Sequence, residues 1–94
     1  MNMTISPLSI AVADEVRRRQ DAAGLSNRQL AARIGVSHPY VGARLNHDAA
    51  FTLEDVDHIA VVFDTTAYEL MTAAVAHAPN RLRVMIGPPH RDDG

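Results

Sequence analysis

The chain has no cysteine, no lysine and no run of apolar residues long enough to cross a bilayer. Without cysteine there is no disulfide framework and no thiolate metal centre, a composition that fits a reducing compartment. The opening segment, MNMTISPLS, lacks the basic flank and long apolar stretch of a secretory leader, so the protein is expected in the cytoplasm, away from membranes. Catalytic signatures are missing too. There is no nucleophile elbow, no glycine loop of the kind that cradles phosphate and no Cys-His arrangement, so neither an enzyme nor a cofactor is expected. The five histidines, at 38, 47, 58, 77 and 90, never stand three or four apart, and no metal site is expected. Glu54, Asp55 and Asp57 read as carboxylates that complement a helix N-terminus, not as a catalytic pair.

What is present is charge of both signs, unevenly distributed. The formal net charge is −2, which by itself argues against a nucleic-acid ligand. Between Ser9 and His47, however, six arginines (17, 18, 19, 28, 33 and 44) face only three acids, Asp14, Glu15 and Asp21, whereas Asp48 to Ala78 holds six acids and no Arg or Lys. Such a dipolar chain can orient itself on a polyanion; the plainer reading is that the charges solvate helix surfaces. The run Arg17-Arg18-Arg19 is read as a solvated helix face from which one side chain reaches a phosphate at most.

Ninety-four residues suffice for one modest core. Residues 1–78 read as a single helical domain and residues 79–94 as a tail. Met3-Thr4-Ile5-Ser6 alternates in polarity before Pro7, as an edge strand or a loose arm would. Leu8, Val12 and Val16 are spaced four apart and predict a first helix from about Leu8 to Ala23, stopped by Gly24. Thr52, with Asp55 three residues on, predicts the cap of a helix from Leu53 to about Phe63 that buries Leu53, Val56, Ile59, Ala60 and Phe63. Asp64-Thr65-Thr66 caps a further helix from about Ala67 to His77, closed over the core by Leu70, Met71 and Ala74. Beyond Pro79 the period changes: Leu82, Val84 and Ile86 share one face of a short strand over residues 81–86. A lone strand cannot satisfy its backbone, so it is expected to pair with residues 3–6 or with its mate in a second subunit; a frayed or intramolecular tail is the other reading. The end, GPPHRDDG, is expected to be disordered.

The segment Leu25–Asn46 carries the most information. Ser26 can cap a helix running through Leu30, Ala31 and Ile34, and Gly35 ends it by accepting positive φ. Val36 plugs the corner, Ser37 caps a second helix, and Pro39 sits early enough that its missing N–H costs no helical bond. Val41 and Leu45 fix the inner face of that second helix, starting near His38; Pro39, Tyr40, Ala43 and Asn46 point away, with Gly42 and Arg44 on the flanks. An exposed face with Tyr, Asn and a nearby Arg suits a DNA groove. Gly42 costs about 1 kcal/mol inside a helix, which close approach to DNA or to a neighbouring helix would explain.

The string L-S-x-x-x-L-A-x-x-x-G-V-S-x-x-x-V-x-x-x-L-N, from Leu25 to Asn46, resembles the helix-turn-helix of the Cro and lambda-repressor-like (XRE) family. The resemblance extends through Thr52–Val56, Ile59-Ala60, Phe63 and Tyr68–Met71, covering roughly residues 10 to 72. It implies an all-α, five-helix DNA-binding domain with its motif at about 26–46, working as a homodimeric repressor with duplex DNA as partner and the second motif helix in the major groove. The alternatives it leaves are an antitoxin that also grips a toxin protein and an adaptor that has lost DNA binding. By position, Asn27 and Arg28 are implied as phosphate contacts, His38, Pro39, Tyr40 and Ala43 as the surface facing the bases with Ser37 as a further DNA contact, and Asn46 and His47 as backbone contacts. Arg44 is read as the strongest polar contact, to guanine or to phosphate, and Tyr40 has a second reading in which it packs against the following helix. The chain departs from the family where Gly42-Ala43 replaces a frequent Ser-Arg, where Asn27 replaces Gln, where His47 replaces Gly and where Arg19 replaces an aliphatic residue. Lacking lysine, it cannot host the Ser-Lys self-cleavage centre of larger phage-type repressors.

Overall fold

The computed structural model describes residues 5–87. Six helices follow one another: α1 (Pro7–Ala23), α2 (Asn27–Ile34), α3 (His38–Leu45), α4 (Leu53–Val62), α5 (Ala67–His77) and α6 (Asn80–Ile86). Five of the six starts are set by the same local device. Ser6, Ser26, Ser37, Thr52 and Thr66 each accept, on the hydroxyl oxygen, the backbone N–H three residues ahead. Each such cap satisfies one of the orphan donors of a first turn and contributes about 1 kcal/mol. At Ser26 and Thr52 the bond is reciprocated by Gln29 and Asp55, which makes two complete capping boxes.

The apolar faces meet in one core. Val12 and Val16 of α1, Leu30 and Ala31 of α2, Val41 and Leu45 of α3, Val56, Ile59 and Ala60 of α4 and Leu70 and Ala74 of α5 are all buried in it. Helix α1 is the spine, packed against α5, α6 and α3, while α2 packs on α3 and α4. Leu53 departs from expectation: it is 74% exposed, on the rim of an apolar hollow shared with Leu8, Phe51 and Met71, instead of entering the core.

The largest correction concerns residues 81–86, which form helix α6 and not a strand; among the described residues there is no strand. The pattern satisfies both periods, because Leu82 and Ile86 lie four apart as well as on one side of an alternation. In the helix Leu82 is buried and Ile86 packs at the core's edge, whereas Val84 and Met85 are exposed. A strand without a partner leaves its backbone unpaired; a helix closes its own hydrogen bonds. Of the N-terminal strand or arm reading, residues 1–4 lie outside the described residues, and Ser6 is the cap of α1. The tail expected to be disordered falls, from residue 88 on, outside them as well.

Candidate nucleic-acid interface

The turn between α2 and α3 forms as its residues dictate. Gly35 takes φ 78°, its N–H and that of Val36 both reach the Ala31 carbonyl, and Val36 tucks against the core. Helix α3 is then fixed on three sides. Val41 and Leu45, at 0% and 2% exposure, bury its inner face. Its C-terminal end is bound to α1 twice, by Arg17 Nη2 donating to the Leu45 carbonyl at 3.4 Å and by the His47 Nε2–Asp14 Oδ1 contact at 2.8 Å. His47 holds a φ of 67°, a conformation that explains why glycine is usual at this position in the family.

The third attachment involves Tyr40. Its hydroxyl donates to Asp55 Oδ2 at 2.6 Å, and that same oxygen accepts the Thr52 N–H at 3.0 Å. The hydrogen bond to the carboxylate, then burial and the negative charge beside it, raise the phenol above its usual 10.0. Arg44 lies across the other side of this assembly. Its guanidinium carbon is 3.4 Å from the Tyr40 ring centroid, and its Nη1 donates to the Tyr40 carbonyl at 3.2 Å. This is a cation–π pair between side chains one helical turn apart. Arg44 Nε is buried and has no acceptor among the described residues.

The residues singled out from the sequence therefore divide. Ser37, His38, Pro39, Asn46 and Arg28 are exposed, and Ala43 is half-buried. Arg28 makes no hydrogen bond or ion pair among the described residues, and the N–H groups of Asn27 and Arg28 open a first turn with no helical acceptor. The Asn27 side chain is engaged inward, accepting from buried Gln20 at 2.9 Å. Tyr40, Arg44 and His47 are braced against the protein. Sequence reasoning missed Asp55 as the anchor of Tyr40, because the T-x-x-D spacing signals only a helix cap.

The arginine run also differs from expectation. Glu15 is buried at the α1–α5 junction and binds Arg18, Arg19 Nε at 2.9 Å and His77 Nδ1 at 2.8 Å. Burial alone would raise this carboxyl, but hydrogen bonds from His77 and Arg19 and the Arg18 charge outweigh it and hold the group below 4.5. Among the described residues, Arg17, Arg28, Arg33 and Arg44 are the motif-side arginines with no carboxylate partner.

Two short capped helices around a glycine turn, the second braced with one face outward, define a DNA-binding regulator of the helix-turn-helix class. Residues 17–70 match the helix-turn-helix family profile, and the chain belongs to the Cro and lambda-repressor-like, XRE-type family. A search of curated proteins finds no match. Among solved structures, a crystal structure of FeII HppE in complex with substrate is similar at 25% identity and a TM-score of 0.58, over 66% of this chain and 35% of that one. This chain thus spans only about a third of that protein's length. Among the described residues, no group of three or more His, Cys, Asp or Glu side chains gathers as metal ligands would, and no single helix is long and apolar enough to cross a membrane.

Proposed function

We propose that the protein is a sequence-specific repressor that binds an inverted-repeat operator as a homodimer. The observation that carries this reading is the bracing of α3: a helix buried on one face and held at both ends presents its outer face in a fixed pose. His38, Pro39 and Ala43 face the bases in the major groove with Ser37 beside them, Arg44 supplies the principal polar contact, and Tyr40 serves from beneath it as its support. Asn27, Arg28, Asn46 and His47 approach the phosphates, with the helix dipole of α2 adding to the first two. Two recognition helices about 34 Å apart match one turn of duplex. One copy offers too few cations for tight binding at physiological salt, and a second half-site doubles the phosphate and base contacts.

The test is a titration of DNA flanking the gene at about physiological ionic strength, with excess nonspecific duplex, for the wild type and Arg44→Ala. Saturable, competitor-resistant binding with two chains per site, weakened by the substitution, is the expected result. Failure of the wild type to bind any duplex would sink the reading.

A second reading has its own observation. Val61 and Tyr68, each 76% exposed, are large apolar groups placed on α4 and α5, away from the motif in sequence. They favour a protein partner, such as a toxin held by an antitoxin, or an adaptor role without DNA. The same titration separates the adaptor, which shows no salt-dependent affinity for duplex; an antitoxin binds duplex too, and a gene for a small toxin beside this one would favour it.

A further inference from the structure

We infer that Asp55, a helix-cap residue on α4, is a positioning residue for sequence recognition, acting through Tyr40 on Arg44. The inference rests on the DNA-binding reading above and adds a determinant outside the motif. One carboxylate oxygen, Oδ2, accepts both the Thr52 N–H and the Tyr40 hydroxyl, so the start of α4 and the ring of Tyr40 are fixed to the same atom. Asp55 is 7% exposed and touches only neutral donors; its charge is not used up in an ion pair among the described residues. The ring it pins is the shelf on which the Arg44 guanidinium lies at 3.4 Å. That guanidinium holds one acceptor, the Tyr40 carbonyl, and its buried Nε has none. Arg44 is thus oriented mainly by a flat surface, and the angle of that surface is set from α4. A ring free to swing would let the only arginine of α3 sample several directions, and a bidentate contact to a base tolerates little of that.

The test is a double-mutant cycle on the full chain, measuring affinity for a duplex selected from a random pool by the wild type and for a scrambled duplex of equal length. Asp55→Ala is expected to weaken the selected duplex about three- to tenfold while changing the scrambled one less than about twofold, so that specificity falls and the salt slope stays. In an Arg44→Ala background the same substitution is expected to add nothing. Thr52→Ala removes the cap hydroxyl of the same helix but leaves the pin, and is expected to preserve the specificity ratio. Equal losses from Thr52→Ala and Asp55→Ala, or an Asp55→Ala loss that persists without Arg44, would overturn the inference while leaving the DNA-binding reading intact. Absence of wild-type binding to any selected duplex overturns both.

Discussion

Two buried carboxylates, Glu15 and Asp55, do opposite things with charge. Glu15 gathers three side-chain donors, Arg18, Arg19 and His77, and so offsets part of the positive charge that the motif-side arginines offer a polyanion. Among the described residues, Asp55 takes only an N–H and a phenol and, through the phenol, supports an arginine that has no carboxylate partner. One carboxylate fastens α1 to α5; the other sets the pose of α3. A count of arginines in a basic segment therefore overstates the charge left free of carboxylates, and an acid beside α3 can hold a neighbouring arginine in place without pairing with it.

The contrast can be broken from the Glu15 side first. Glu15→Ala removes a buried acceptor shared by three donors that themselves stay partly solvated, and a loss of about 3 kcal/mol is expected, read by urea unfolding. Asp55→Ala removes a cap and one hydrogen bond from a phenol, a loss of about 2 kcal/mol by the same measurement. A ranking in the reverse order would show that the pin on α3, and not the α1–α5 knot, holds the domain together. The two sites also differ in the pH limb they control. Glu15 has a lowered folded value, so its contribution is present above 4.5 and is lost as pH falls through the folded value; Glu15→Gln should flatten the acid limb of stability. Tyr40 has a raised folded value, so its contribution is complete below 10.0 and is lost as pH rises through the folded value; Tyr40→Phe should flatten the alkaline limb.

A smaller effect lies within α3 itself. A Cβ added at Gly42 meets nothing within 4 Å, so no neighbouring helix requires the glycine. Gly42→Ala should therefore stabilise the fold by about 1 kcal/mol, seen as a higher Tm. If the glycine allows DNA to approach closely, the same variant binds duplex more weakly; unchanged affinity would remove that role. Smallest of all, Arg18→Ala should alter the salt dependence of DNA binding by less than about one phosphate contact, because its charge is partly offset by Glu15, which it shares with Arg19.

Local chemistry was legible in the sequence and distant chemistry was not. Ser26, Gly35, Ser37 and Thr52 announce their turns within four residues, and the structure places a helix boundary at each. Residues 81–86 were ambiguous because Leu82 and Ile86 suit either period; what decided was α1, against which α6 packs. The sequence leaves Tyr40 between DNA and the following helix, and its hydroxyl reaches α4. Its tie to Asp55 spans fifteen residues, and the Glu15–His77 bond spans sixty-two; no spacing rule carries that far. Leu53 shows the converse: its place in an apolar periodicity says nothing of whether a neighbour arrives to cover it.

The five hydroxyl caps have a kinetic consequence. Each encodes its helix start from residues adjacent in the chain, so α2 and α3, with the turn between them, can form before any distant contact is made. The return of α5 and α6 onto α1 closes the longest loops and belongs to the later part of folding. Mutations in the motif should then slow folding, and mutations at the α1–α5 seam should chiefly hasten unfolding.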